Sequence, residues 1–135
     1  MAIEWKVEFL TGLDEIDAQH HYFFWLIKKI ERFECAAGDQ TSLLMVLLEL
    51  RRYAAFHFAS EELLMETYGY SGLPEHRKTH RDLAVQLQGQ IELASRSTAS
   101  LSKLKMFLYT WFAGHTTHDD QLFSGHVKAA RELPL

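Results

Sequence analysis

The sequence has few residues that break or crosslink secondary structure: one cysteine, two prolines and seven glycines among 135 residues. The single thiol, Cys35, excludes an internal disulfide framework and favours a reducing compartment, so we expect a cytoplasmic location. The chain also has 20 leucines against nine valines and isoleucines together. Because β-branched side chains suit pleated sheets and leucine suits helices, this composition predicts an all-α protein.

Long apolar runs and an excess of basic charge are absent as well. The most apolar stretch, Leu43 to Leu50, contains Glu49 and falls far short of the ~20 residues that cross a bilayer. No N-terminal segment has the basic start, apolar middle and cleavage site of a signal peptide. The formal net charge of −4 gives no electrostatic reason to expect nucleic acid. We therefore expect one domain, residues 1–135, with neither membrane insertion nor nucleic-acid binding.

Four segments repeat apolar residues at the three- and four-residue spacing of a helix, over about residues 16–30, 41–68, 74–94 and 101–111. Short polar breaks separate them, near Ala36–Gln40, Gly69–Leu73 and Ser95–Ser100. Short connections place consecutive helices antiparallel and adjacent. The sequence thus predicts an up-down-up-down antiparallel four-helix bundle. We also expect an ordered N-terminal arm over residues 1–13 and a short helix within Gln121 to Leu135.

Histidine is abundant, with eight copies, and most of them fall on the apolar faces. Extending each apolar stripe by its own spacing places six ionisable residues on inward faces: His20, His57, Glu61, His76, His80 and His115. Burying such groups without partners costs on the order of several kcal/mol, and a metal removes this penalty because imidazoles and carboxylates become its ligands. One such pair is more often an ordinary structural feature, but convergence from four helices favours a metal site.

The type of metal follows from the donors. A structural zinc site takes four ligands, usually with cysteine, and neither HExxH nor CxxC occurs in this chain. The Glu-x-x-His motifs of ferritin-like di-iron bundles are also missing. A histidine-rich donor set with few carboxylates indicates a di-iron site of another kind.

The motifs of these stripes resemble those of the hemerythrin family, in particular the bacterial hemerythrins. They are Ile16-Asp17-Ala18-Gln19-His20, His57-Phe58-Ala59-Ser60-Glu61-Glu62, His76-Arg77-Lys78-Thr79-His80 and Trp111-Phe112-Ala113-Gly114-His115 through Asp120. With Trp5 and Thr11-Gly12, the resemblance covers nearly the whole chain.

The resemblance implies a centre of two non-haem iron ions, bridged by an oxo or hydroxo group and two carboxylates. The implied ligands are His76, His80 and His115 for one iron, His20 and His57 for the other, and Glu61 and Asp120 as the bridges. One iron then has six donors and the other five, which leaves an open position for O2. Small anions such as azide are expected to mimic O2 there.

The function implied by this resemblance is reversible O2 binding without catalysis. The protein is then an oxygen transport or storage protein, or an O2- or redox-sensing module that acts on a signalling output domain or partner. The alternative is a di-iron enzyme that acts on peroxide, on nitric oxide or in O2 reduction. Iron storage or a purely structural metal is a third class.

Two positions beyond His115 raise questions, Asp120 because a regular helix would not bring it to the face of His115, and His118 because a regular helix would aim this polar side chain at the core. Asp120 lies five residues on, about 140° off the face of His115, so the helix must kink, widen or end there. Spacing alone does not select Asp120 over Asp119. His118 follows His115 by three residues, in the run Thr116-Thr117-His118 where family members mostly carry apolar residues. The distortion either turns His118 outward or leaves it in a polar ligand pocket, where it could donate a proton and speed autoxidation.

Overall fold

A computed structural model of the chain describes residues 3–35 and 39–132. These two ranges contain five α-helices and no strand: α1 Asp14–Cys35, α2 Gln40–Thr67, α3 Leu73–Ala94, α4 Thr98–Gly114 and α5 Asp120–Glu132. A 3-10 turn, Val7–Phe9, precedes α1, and a π-helical turn, His115–Asp119, joins α4 to α5. No helix in these ranges combines the length and the apolar character needed to cross a membrane.

The first four helices form the predicted four-helix bundle. Each packs against its neighbour in the chain, and α1 also packs against α4, so that the ring is closed. α4 begins at Thr98, earlier than the periodicity indicates, and α5 provides the predicted short terminal helix. Residues 1–2 of the expected arm, 36–38 of the first expected break and 133–135 of the expected terminal helix lie outside the described residues.

The helix boundaries follow from local chemistry. Asp39 caps α2, because its side chain accepts a hydrogen bond from the Ser42 amide at 3.3 Å. Gly69, just after α2, has a φ of +61°, a backbone conformation that glycine adopts without steric penalty. Pro74 lies in the first turn of α3, where its missing N–H leaves no helical hydrogen bond unmade.

The core contains two apolar clusters, with a polar layer between them. The larger cluster includes Leu50, Leu104 and Phe112, and the smaller one consists of Leu13, Ile16, Met65, Leu73, Phe123 and Val127. On α1, Ile16 belongs to the smaller cluster and Phe23 to the larger, and His20 lies between them. On α2 the ligands lie between Ala54 and Met65, and on α3 they lie between Leu73 and Leu83, again with one cluster on each side. His115 follows Phe112 of the larger cluster on α4, and Phe123 of the smaller cluster follows on α5, so the predicted ligands form a single layer.

The N-terminal arm packs against the bundle near this layer. Phe9 is buried, and its ring lies 5.1 Å from the ring of Phe112. The Asp17 carboxylate fixes the end of the arm, because it accepts hydrogen bonds from the Thr11 amide at 2.7 Å and from the Gly12 amide at 3.0 Å. Gly12 has a φ of +85°, which favours glycine at this turn.

Candidate metal centre

The structure brings all seven predicted ligands together inside the bundle. They come from α1, α2 and α3, from the π-helical turn that follows α4 and from the start of α5: His20, His57, Glu61, His76, His80, His115 and Asp120. Their exposed fractions lie between 0% for Glu61 and 7% for His76. The layer is therefore shielded from solvent.

The donor atoms form two adjacent pockets. The three-histidine pocket consists of Glu61, His76, His80 and His115, and the two-histidine pocket consists of His20, His57, Glu61 and Asp120. Within each pocket one donor atom from every residue lies within 4.8 Å of the others. Glu61 is common to both pockets, so two cations in them would share at least one carboxylate.

The two oxygens of Glu61 face different pockets. Oε1 lies 3.1 Å from His115 Nε2 and 3.3 Å from His80 Nε2, and it also contacts His76 Nε2. Oε2 lies 3.4 Å from His57 Nε2 on the other side. The carboxylate thus spans the boundary between the pockets.

Asp120 has the same arrangement. Its Oδ2 lies 2.9 Å from His20 Nε2, whereas its Oδ1 lies 3.1 Å from His115 Nε2. Each of the two carboxylates therefore turns one oxygen towards each pocket.

The π-helical turn explains why Asp120 reaches the centre. The Asp120 amide bonds to the His115 carbonyl, an i to i+5 bond that brings the fifth residue back to the same side of the helix. Asp120 is 2% exposed, whereas the Asp119 side chain is 35% exposed and approaches the outer face of the His115 ring. Of the two aspartates between which spacing left the choice open, the structure places Asp120 inside the buried layer and Asp119 at its edge.

Many donor atoms of the layer lack an aligned hydrogen-bond partner among the described residues, although they are fully buried. They are both ring nitrogens of His20, Nε2 of His57 and of His80, Oε2 of Glu61 and both carboxylate oxygens of Asp120. Buried polar groups are nearly always paired, because desolvation without a partner is costly. Metal cations would satisfy all of these atoms except His20 Nδ1, so the residues present fit a pair of metal ions.

The ionisation of the layer also suits a cation. Burial lowers the pKa of His57 to about 4, so this imidazole is neutral near pH 7, as a ligand must be. Burial raises the pKa of Glu61, but His115 and the other histidines hold it well below its usual value. Burial also lowers the pKa of His115, yet the Asp120 and Glu61 carboxylates outweigh this and raise it well above its usual value. Without a metal, a proton on His115 therefore takes the place of a cation.

Three imidazoles contact a further side chain through Nδ1, the ring nitrogen that faces away from the pockets. The sequence analysis gave these side chains no role. His57 Nδ1 lies 2.8 Å from Gln19 Oε1, His80 Nδ1 lies 2.9 Å from Glu62 Oε2, and His115 Nδ1 lies 3.3 Å from Asp119 Oδ2. Gln19 and Glu62 each adjoin a predicted ligand in the sequence. Their partners lie on other helices, so no periodicity within one helix indicates these bonds.

Aromatic rings enclose the histidines. Phe58 stacks on His80 with centroids 4.3 Å apart, Trp111 stacks on His115 at 4.9 Å, and Phe112 meets His20 edge-on at 5.5 Å. These contacts restrict the imidazoles to the orientations in which their Nε2 atoms face the pockets.

His118 is exposed on the outer side of the π-helical turn. The interpretation in which it enters the ligand pocket is wrong, and the outward alternative is confirmed, because the widened turn rotates position 118 away from the core. Thr116 is fully buried, and its hydroxyl donates to the Phe112 carbonyl at 2.8 Å.

The sequence matches known proteins over nearly its whole length. The family model that describes the hemerythrin HHE cation binding domain matches residues 11–127, which include all seven site residues. A bacteriohemerythrin of Clostridium acetobutylicum is 26% identical over 122 residues, covering 87% of this chain and 95% of the relative. A bacteriohemerythrin of Pseudomonas aeruginosa is 29% identical over 128 residues, covering 94% and 80%. A myohemerythrin of Riftia pachyptila is 25% identical over 123 residues, covering 91% and 92%.

Proposed function

The chain belongs to the hemerythrin family, and we propose that its buried layer holds two non-haem iron ions and binds O2 reversibly. The observation that carries the proposal is the pair of adjacent pockets in which two carboxylates each turn one oxygen to either side. Unpaired buried donor atoms in both pockets support two ions rather than one.

The two pockets offer different numbers of ligands. In the proposal one ion is held by His76, His80 and His115, the other by His20 and His57, and both share Glu61 and Asp120. One bridging oxo or hydroxo group would give the first ion six donors and the second five. When bound, such a pair supplies two electrons and one open coordination position, which reversible O2 binding requires.

The residues around the centre favour binding over catalysis. Glu61 and the imidazoles are buried, and the Phe112 and His20 rings meet edge-to-face, which limits the access of water to the two-histidine pocket. None of the three side chains of the polar run Thr116-Thr117-His118 offers a free proton donor to the pocket. His118 is exposed, and the hydroxyls of Thr116 and Thr117 donate to the backbone carbonyls of Phe112 and Ala113. We therefore propose that the protein is not an enzyme. The same site would suit a carrier or storage protein, and it would suit the sensing module of a signalling protein equally well.

Metal analysis and optical spectra test the proposal together. Protein produced with ample iron should contain two irons per chain, and any single ligand substitution should lower that content. The reduced protein should change colour in air and revert when O2 is removed, over repeated cycles. Azide should change the spectrum of the oxidised protein by occupying the open position.

Three results would argue against this function. One metal per chain, or mostly zinc, contradicts the di-iron centre. An oxidised form without any response to azide, together with a reduced form that shows no oxygenated spectrum, contradicts the open position. Catalytic turnover of peroxide or nitric oxide at the iron centre would instead favour the enzymatic alternative.

A further inference from the structure

The outer ring nitrogens of the ligand histidines have different partners in the two pockets. In the three-histidine pocket, His80 Nδ1 and His115 Nδ1 face carboxylates, those of Glu62 at 2.9 Å and Asp119 at 3.3 Å. In the two-histidine pocket, His57 Nδ1 faces the neutral amide oxygen of Gln19 at 2.8 Å. His20 Nδ1 is buried without a hydrogen-bond partner among the described residues.

Each of these bonds fixes the proton of its imidazole. Ionised carboxylates and amide oxygens only accept hydrogen bonds, so the bonded Nδ1 must carry the proton and donate it. The Nε2 atom of the same ring is then left with a lone pair that points to the pocket. Glu62, Asp119 and Gln19 therefore all prepare their histidines as metal ligands, but only the first two also bring negative charge.

Negative charge behind a ligand imidazole acts on the metal. It makes the imidazole a stronger donor and stabilises the higher charge state of the ion that the ring binds. Solvent and a cation weaken the effect here, because Glu62 is 24% exposed and its other oxygen lies 3.3 Å from Arg77 Nε. Two such anions nevertheless lie behind the three-histidine pocket. Behind the two-histidine pocket, the described residues provide only the neutral Gln19 amide at His57 and no partner at His20.

We propose that Glu62 and Asp119 are positioning residues that make the two irons unequal, by holding the iron of the three-histidine pocket in its ferric state. This inference rests on the proposed di-iron function. When one electron enters a diferric centre, one ferric ion becomes ferrous, and it is the ion of the two-histidine pocket. A second electron then reduces the other ion at a lower potential. The iron with the open position is thus the first to be reduced and the last to be oxidised.

Glu62→Gln and Asp119→Asn test the proposal, because each keeps an oxygen acceptor and removes the charge. The iron-loaded proteins are titrated with one-electron mediator dyes, and the ferric absorbance is followed against potential. We expect each change to weaken the preference of the three-histidine pocket for ferric iron about tenfold, an upward shift of about 59 mV in the second step. The first step should move less, so the gap between the steps should narrow, and it should narrow further in the double variant.

Glu66→Gln is the matched control. Glu66 lies one helical turn after Glu62, is 67% exposed and contacts Arg77 at 3.5 Å, as Glu62 does at 3.3 Å. Among the described residues no histidine forms a hydrogen bond or an ion pair with it. Removing its charge should leave both potentials unchanged. Gln19→Glu makes the converse change, because it places a carboxylate behind His57 and should lower the first step.

The outcomes separate this inference from the proposed function. Wild-type protein without two irons overturns the function and the inference together. The inference alone is overturned if the wild type holds two irons but the potentials do not move in Glu62→Gln or Asp119→Asn. It is also overturned if the potentials move equally in Glu66→Gln. If Glu62→Gln or Asp119→Asn loses iron, the Gln19→Glu variant provides the test instead. An unchanged potential of the first reduction step in Gln19→Glu would then overturn the proposal.

Discussion

Within residues 3–35 and 39–132 the protein buries charge at two places and neutralises it differently at each. Lys105 is 4% exposed, and its Nζ lies 2.7 Å from Oε2 of Glu34, an ion pair between α4 and α1. His115 of the metal layer follows Lys105 by ten residues, just past the end of α4, which is about 15 Å at 1.5 Å per residue. The metal layer contains the carboxylates of Glu61 and Asp120, and in the described part of the chain no lysine or arginine forms an ion pair with either.

The difference shows which charges the chain can balance alone. Lys105 and Glu34 carry opposite unit charges, so the pair is neutral without any ligand. In the metal layer, imidazoles in their ligand form carry no charge, and two carboxylates remain uncompensated. The Asp120 and Glu61 carboxylates raise the pKa of His115, so we expect a proton on this imidazole to offset part of the charge in the metal-free chain. We interpret the ion pair as structural and the metal layer as complete only with cations.

The largest effect that we predict follows from removal of the metal. The iron-free protein should lose about 4 kcal/mol or more of unfolding free energy, as expected for an ion present at about a thousand times its dissociation constant. Guanidinium unfolding of the loaded and the chelated protein measures this difference. Lys105→Met is the control, and the metal-dependent increment should be the same in that variant because the sites are far apart. Equal stability with and without iron would contradict the comparison.

The next largest effect concerns the ion pair. Glu34→Gln leaves Lys105 buried with a weaker partner, and we expect a loss of about 2 kcal/mol, below the range for fully buried pairs because Glu34 is 24% exposed. Lys105→Met should cost less, because Glu34 can turn to solvent. Unfolding curves measure both losses, and iron analysis should give two ions per chain in each variant. Loss of iron in either variant would show that the two regions are coupled.

A third buried polar group, the Thr116 hydroxyl, is satisfied within its own helical segment. Thr116→Val preserves the shape and removes the 2.8 Å bond to the Phe112 carbonyl, so we expect a loss of about 1 kcal/mol. Thermal unfolding of the iron-loaded protein measures it, with the iron content determined in parallel. A variant that keeps its stability but loses iron or azide binding would place this hydroxyl in the metal centre.

Periodicity predicted the bundle and most of the layer because both depend on helix faces. His20 lies between Ile16 and Phe23 on one stripe, and His57 and Glu61 are one turn apart, so burial of the apolar neighbours carries the ligands inward. The same spacing includes Lys105, four residues after Leu101. The spacing therefore indicates that Lys105 is buried. The reason that a lysine can be buried there is the Glu34 carboxylate, which lies on another helix.

The rest of the site depends on features that periodicity does not describe. Asp120 was assigned only through the family resemblance, because the i to i+5 bond of the π-helical turn changes the angular step between residues. Gln19, Glu62 and Asp119 act on the outer nitrogen of an imidazole. Gln19 and Glu62 reach rings on other helices, and these contacts follow from the packing of the bundle.

The smallest effect that we predict is at His118, and it tests where the metal layer ends. In a regular helix this imidazole would face the core beside His115, but the π-helical turn leaves it exposed. His118→Leu should therefore change the unfolding free energy by no more than about 0.5 kcal/mol, the usual limit for surface positions. Iron content and azide binding should be the same as in the wild type.

The rate of autoxidation gives the sharpest test of this position. A histidine close to bound O2 could supply a proton, and its removal would slow the conversion to the diferric form, most strongly below about pH 6.5, where a free imidazole is charged. Because the side chain points to solvent, we expect the decay of the oxygenated protein to be equal in wild type and His118→Leu from pH 6 to 8. Thr116→Val, measured in parallel, shows whether a nearby buried hydroxyl affects that decay. Slower decay in His118→Leu alone would mean that the side chain reaches the open position in solution, and the metal layer would then extend through the π-helical turn.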